Sequence, residues 1–203
     1  MKSDETIFEH NYKGYIKQLR EISFDTIAPL LGGTIKDDGM ELSLLGERFF
    51  ITPAGISDLS GSKPSYDICV ILSKYILLCP DTTPKANDWV SFRELKDSGP
   101  LTNYFNNDVE LSIARFFKGR TETLKKAGQS ISGYTPDLDV NYDIAVQFDL
   151  LPKISVVLLL NDEDEEFPAK CSILFERRTE KYLDAECIAM LGWHLCKRLK
   201  ASV

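Results

Sequence analysis

The feature that most constrains the fold is an apolar segment, an acidic connection and a second apolar segment in direct succession. The first apolar segment runs from Ile154 to Leu160 and the second from Cys171 to Phe175. So continuous an apolar run is typical of a strand buried on both faces or of a short core helix. Because it is rich in β-branched residues and follows Pro152, it predicts a strand. The acidic connection 161–168 is therefore predicted to join two neighbouring strands.

Other strand patterns lie before this pair. Ile144, Val146 and Phe148 alternate with less apolar residues, which predicts a strand adjacent and antiparallel to the next. Nearer the N terminus, tight turns separate short apolar segments, which predicts an antiparallel meander. The strands of this meander are predicted at 34–35, 40–44 and 48–51.

Helices are predicted where apolar residues recur at helical spacing. The segment after Ser65, a suitable capping residue, has so narrow a polar stripe that its helix is predicted to be mostly buried. We predict an α+β class, a mainly antiparallel sheet packed by about four helices. One domain is predicted over 1–203, with an N-terminal helix and small meander within 1–60. The helices are expected near 5–28, 66–79, 108–126 and 183–199.

Composition narrows the class of function. The 203 residues are 43% hydrophobic and 27% charged, which is ordinary for a soluble globular domain. The formal net charge of −7 argues against generic nucleic-acid binding, which needs a basic surface. One basic concentration is therefore interpreted as a solvated face. It comprises Arg115, Lys118, Arg120, Lys125 and Lys126.

Cysteine usage and the absence of apolar targeting segments predict a cytoplasmic location. The five cysteines are odd in number, and most of them lie in apolar contexts. This pattern is typical of reduced thiols rather than of a disulfide framework. We find no secretory signal at the start and no apolar run long enough to cross a membrane.

The acidic run 162–166 has two interpretations. Carboxylates on a loop can hold a hard divalent cation, and Asp162, Asp164 and Glu166 would alternate toward one side. However, the ligand pattern of an EF-hand is absent. A charged run between apolar strands also keeps a hairpin soluble and discourages edge pairing. We favour the solvated connection and assign no metal site.

The last helix carries a second set of metal-ligating residue types. Cys187 and His194 share a helix face but lie about 10 Å apart along the axis, and Cys196 lies on another face. Zinc bonds of about 2.0–2.3 Å cannot join any two of them.

We also find no hydrolase motif and no dinucleotide-binding motif. We therefore identify no catalytic residue and no cofactor.

The segment around Trp89 is a candidate pocket wall. Trp89, Arg93 and Glu94 combine residue types that recur at recognition surfaces. The alternative is that Trp89 anchors a long connection to the core. Both interpretations remain open at this point.

An ordered set of motifs extends over most of 66–199. Its segments are 67–77, 88–95, 151–152, 164–169, 174–175, 182–183 and Glu186. This set resembles the family of uncharacterised proteins catalogued as domain of unknown function 3786, whereas the first 60 residues match only in general style. The resemblance implies soluble proteins of anaerobic bacteria and archaea, some with a separate cysteine-rich iron–sulfur segment that this chain lacks. No activity or catalytic residue follows from it.

Two hypotheses for function follow. The first is a non-catalytic cytoplasmic module of an anaerobic prokaryote that binds a small ligand or a protein partner, with neither nucleic acid nor membrane as a partner. The second is an enzyme, with a divalent metal as one option, whose pocket combines two groups of residues. The enzyme hypothesis requires these groups to converge. The predicted site residues are Trp89, Arg93, Glu94, Asp164 and Glu166.

Overall fold

The computed structural model of the protein describes residues 2–85, 88–138 and 141–203. Within these ranges the chain forms two antiparallel sheets and six α-helices of seven or more residues. The helices are α1 (Lys2–Leu19), α2 (Phe24–Leu31), α3 (Tyr66–Leu77), α4 (Leu111–Phe117), α5 (Thr121–Ser130) and α6 (Ala185–Ala201). The strands are β1 (Thr34–Lys36), β2 (Gly39–Leu44), β3 (Glu47–Thr52), β4 (Gly55–Asp58), β5 (Trp89–Ser91), β6 (Ile144–Leu151), β7 (Ile154–Asn161) and β8 (Lys170–Glu176).

The first sheet is the predicted meander with one more strand. Its order is β1-β2-β3-β4, and every neighbouring pair is antiparallel. Leu45 and Gly46 turn β2 into β3 with φ values of 51° and 78°, the backbone that a two-residue hairpin requires. Strand β4 was not predicted, because the sequence after Ile51 reads as a turn followed by a polar loop.

The second sheet confirms the prediction of three consecutive adjacent strands. Its order is β5-β8-β7-β6, and all its pairs are antiparallel. Residues 154–160 are buried except for the half-buried Ser155, as the continuous apolar run predicted. The alternate residues Val156, Leu158 and Leu160 belong to the hydrophobic core.

The opposite face of this sheet, here called the open face, is only partly covered. Its side chains are mostly half-buried, a pattern typical of an antiparallel sheet with one solvated side. Leu159 nevertheless lies buried at its centre, directly between Ala145 and Ser172. The half-buried residues of the open face include Trp89, Ser91, Ala145, Gln147, Ser172 and Leu174.

The predicted α+β class is confirmed, but the count of about four helices is wrong. The predicted helix 5–28 is two helices, α1 and α2, because the chain leaves helical geometry after Leu19. Pro29 lies inside α2, which instead ends at Gly32 with a left-handed φ of 72°. The predicted helix 108–126 is also divided, because Gly119 adopts a φ of 65° between α4 and α5.

One cluster of buried side chains extends from α1 to α6 and includes residues of both sheets. This supports the organisation of 1–203 as a single domain, which stays a prediction. A hydrogen bond of 2.9 Å from the Leu45 N–H to the Leu150 carbonyl also links the first sheet to the second.

The chain enters α4 through an irregular helical segment. A short turn, Thr102–Tyr104, leads into π-helical residues Phe105–Glu110, here called the π segment. Phe105 is buried and stacks on Phe92, with 4.3 Å between the ring centroids. Gly192 of α6 permits this position, since a Cβ there would lie 2.4 Å from the Phe105 ring. The ring thereby fixes the π segment against the end of the second sheet.

Candidate functional site

Two adjoining clefts lie where the π segment meets the second sheet. The larger encloses about 870 Å³ beside the acidic connection, and the smaller encloses about 430 Å³ over Leu159 and Leu174 of the open face. Both volumes are in the range of small-molecule sites. We call the two clefts together the groove. The residues that line both clefts are Asn106, Glu110, Tyr142, Lys170 and Ser172.

Glu110 is the central acidic residue of the groove. It ends the π segment, a geometry that is frequent at functional sites. One carboxylate oxygen, Oε1, accepts a hydrogen bond of 2.9 Å from the Ile173 N–H. In the described part of the chain Oε2 has no hydrogen-bond partner, so this oxygen is available to a ligand. Burial raises the pKa of Glu110, against the lowering effects of the Ile173 N–H and Lys170.

Further carboxylates line the larger cleft, and contacts within the fold hold them in place. Asp162 accepts a hydrogen bond from the Gly119 N–H at 2.9 Å, and Glu163 pairs with Lys118 at 2.6 Å. Asp164 accepts hydrogen bonds of 2.8 and 2.7 Å from two N–H groups of its own loop. These bonds lower the Asp164 pKa. The acidic connection therefore presents fixed negative charge to the cleft.

Two exposed aromatic rings accompany these carboxylates. Phe167 is 65% exposed and Tyr142 is 40% exposed, and both line the larger cleft. Asp143, next to Tyr142, accepts a 2.8 Å hydrogen bond from the Asp162 N–H. Aromatic faces beside carboxylates suit an organic cation, which both attract.

The smaller cleft shares Glu110 with the larger one and adds a basic side chain. Arg93 lines this cleft alone, and Lys170 lines both clefts. Within the described ranges, neither side chain makes a hydrogen bond or an ion pair. Arg93 is therefore available to an anionic group, whereas the charge of Lys170 already acts on Glu110.

The structure divides the predicted site residues. Arg93 and Asp164 line the two adjoining clefts, whereas the other three predicted residues line neither. Trp89 pairs with Glu176 across β5 and β8, and Glu94 caps the turn that begins at Ser91. The hydroxyl and N–H of Ser91 bond to Glu94 and lower its pKa. Glu166 is exposed on the acidic connection. Assignment of a site to these residues stays a prediction.

Glu110 is not among the site residues predicted from the sequence. A signal was present, because Glu110 lies three residues before Ile113 and seven before Phe117, both buried. This spacing puts a carboxylate on the apolar face of the predicted helix. The periodicity alone could not show that this carboxylate reaches β8.

The residues considered as metal ligands are separated by the fold. In the ranges described, no three His, Cys, Asp or Glu side chains are grouped so that they could hold a metal ion. Asp162 and Asp164 bond to different backbone groups rather than facing one point. His194 Nε2 lies 2.7 Å from Asp67 Oδ2 of α3, without the alignment of a hydrogen bond.

None of the helices in the described ranges combines the length and apolar character needed to cross a membrane.

No significant match to the chain was found among curated proteins or among solved structures. The sequence profile of one family, described as a domain of unknown function, matches residues 23–198. The match begins well before residue 66, where the predicted resemblance began, and so includes the first sheet. The chain therefore belongs to the family known as domain of unknown function 3786 (DUF3786).

Proposed function

We propose that the protein is a non-catalytic binding module whose groove takes a small molecule with a cationic group. The observation that carries this proposal is the half-buried Glu110 carboxylate at the junction of the two clefts. The resemblance to proteins of anaerobes adds a cytoplasmic setting in an anaerobic prokaryote. A small molecule is the proposed partner, rather than nucleic acid, a membrane or a protein.

Burial of a carboxylate is unfavourable unless a counter-charge or hydrogen bonds compensate for the lost water. Glu110 receives one internal hydrogen bond, from the Ile173 N–H. The Lys170 charge acts on Glu110 without forming an ion pair in the described structure, whereas a ligand ammonium group at Oε2 would supply a directly bonded counter-charge and donor. The fixed carboxylates of the acidic connection would add to the attraction, and the Phe167 and Tyr142 rings would contact the ligand's carbon atoms.

The test uses n-pentylamine, a primary ammonium on a short carbon chain, with binding followed by protein-observed NMR. We expect shifts at residues of the larger cleft and a fall in affinity of about tenfold or more in Glu110→Gln. Glu165→Gln removes the same charge from the exposed acidic connection outside the groove and is the matched control. Equal affinity of Glu110→Gln and the wild type would contradict the proposal. In a separate experiment, native mass spectrometry of the protein isolated from its own host would detect a retained amine.

An enzyme remains the second candidate function. The specific observation in its favour is the raised Glu110 pKa in a cleft, as is common for general acids and bases. Of the two groups that the enzyme hypothesis brings to one pocket, Arg93 and Asp164 line the groove, each in a different cleft. Chemical conversion of a bound ligand, lost in Glu110→Gln with binding retained, would favour the enzyme over the binding module.

A further inference from the structure

The groove changes the sign of its charge along its length. Asp143, Asp162 and Asp164 line only the larger cleft, and Arg93 lines only the smaller one. Glu110 and Lys170 lie at the junction. A ligand that spans both clefts therefore meets negative charge at one end and positive charge at the other.

We infer that the groove binds a dipolar molecule, with an ammonium group in the larger cleft and a carboxylate or phosphate group in the smaller one. This inference rests on the proposed function, because the ammonium group is the cation placed at Glu110. It adds a second charged group of opposite sign and a direction of binding.

The position of Arg93 supports the anionic end. Arg93 belongs to a turn, Phe92–Glu94, that directly follows β5. The neighbouring Glu94 carboxylate accepts hydrogen bonds of 2.9 and 2.6 Å from the N–H and hydroxyl of Ser91. Glu94 is thus engaged in capping the turn and forms no ion pair with Arg93 in the described structure. The guanidinium remains able to make the paired hydrogen bonds that carboxylates and phosphates accept.

The surface between the charged ends suits the middle of such a ligand. Leu159 and Leu174 give the smaller cleft an apolar floor. The Asn106 amide and the Ser172 hydroxyl line both clefts, and in the part of the chain described neither side chain makes a hydrogen bond. Apolar walls with a few convergent polar groups are typical of small-molecule sites.

The test compares three probes with the same five-carbon chain: n-pentylamine, 5-aminopentanoate and pentanoate. We expect 5-aminopentanoate to bind about tenfold or more tightly than either singly charged probe, because only it satisfies both ends. Its homologues 4-aminobutanoate and 6-aminohexanoate locate the best spacing between the two groups. Equal affinities of the amine and every amino acid would overturn the inference that the groove binds a dipolar molecule.

Two charge-neutralising variants test which residue binds the anionic group of the ligand and which binds its ammonium group. Arg93→Gln should weaken 5-aminopentanoate about tenfold and leave n-pentylamine unchanged, whereas Glu110→Gln should weaken both. Arg115→Gln, exposed on α4 and outside the groove, is the control for loss of a positive charge. If Arg93→Gln leaves 5-aminopentanoate unaffected while Glu110→Gln weakens it, the dipolar inference fails and the cation site stands. If neither n-pentylamine nor any amino acid binds, both fail.

Discussion

The Glu110 carboxylate accepts a 2.9 Å hydrogen bond from the Ile173 N–H and so joins the π segment to the edge of β8. Strand β5 pairs with β8 only from Leu174 to Glu176, so this N–H lies just beyond the end of the pairing. An unpaired backbone N–H in a buried setting is unfavourable, and the carboxylate satisfies it. The same side chain therefore completes the sheet edge and supplies charge to the groove.

Replacing Glu110 by glutamine should make the folded protein more stable and weaken its binding of amines. Burial raises its pKa, so the fold favours the protonated form, and the ionised carboxylate costs stability at neutral pH. Glutamine keeps an oxygen for the Ile173 N–H without the charge. We expect Glu110→Gln to be more stable than the wild type by about 0.5 kcal/mol at pH 7.5 in urea unfolding, although it binds amines less well.

The pH dependence of this difference has a defined sign. Because the folded pKa exceeds the unfolded one, the destabilisation by Glu110 disappears as the pH falls through the folded pKa. The advantage of Glu110→Gln should therefore shrink between pH 7.5 and pH 4.5. A constant difference over this range would show that the ionised carboxylate does not destabilise the fold.

Gly192 should be required for the position of the π segment. A Cβ at this residue would lie 2.4 Å from Phe105 Cε2, so the ring would have to move. We expect Gly192→Ala to cost about 1–3 kcal/mol in urea unfolding and to weaken ligand binding. Gly14→Ala in α1 is the matched control, since a Cβ there meets no atom within 4 Å, and alanine should stabilise that helix. A Gly192→Ala protein as stable as the wild type would contradict the close packing on Phe105.

His194 should make the protein less stable in mild acid. The side chain is buried on α6, and this burial lowers its pKa despite the nearby Asp67 carboxylate. Because the pKa of His194 is lower in the folded state, the unfolded state takes up a proton first as the pH falls. The unfolding free energy is therefore unaffected by this group above about pH 6.5 and decreases below it. His194→Gln should therefore flatten the fall in unfolding free energy between pH 7 and pH 5. Equal slopes in urea unfolding of His194→Gln and the wild type over this range would contradict the prediction.

The cysteines should differ in reactivity. Cys79 is half-buried at the end of α3, whereas the other four are buried. Burial raises the pKa of Cys171 well above its usual range, so that its thiolate is scarce. We expect iodoacetamide to modify Cys79 first in the native protein, as peptide mass mapping over time would show. Cys171 lines the larger cleft. If it is modified faster than Cys79, its thiol must become accessible to solvent through the groove.

The local regularities of the sequence predicted much of the second sheet. The continuous apolar run Ile154–Leu160 became a central strand, and the alternating residues before it became β6. The meander followed from its turn residues. Such patterns are informative because side-chain direction alternates along a strand, whatever the rest of the chain does.

The candidate site was predictable only in part. Arg93 and Asp164 were identified by residue type and do line the groove, but Glu110 was not identified. Its importance depends on the hydrogen bond from Ile173 and on the charge of Lys170, which lie some sixty residues later in the chain. Glu166 looked equivalent to Asp164 in sequence, yet it lies outside the groove because the loop turns around the Asp164 carboxylate.

By itself, the sequence determined the α+β class, the hairpin with its acidic connection and the meander, because these depend on periodicity and turn chemistry among near neighbours. Only the tertiary structure decided the position of the π segment and the change of charge sign along the groove. Those features arise where segments distant in sequence pack together: the Phe105 ring against Gly192, and the Glu110 carboxylate against the edge of β8. A cleft is formed by such packing, and no local pattern encodes it.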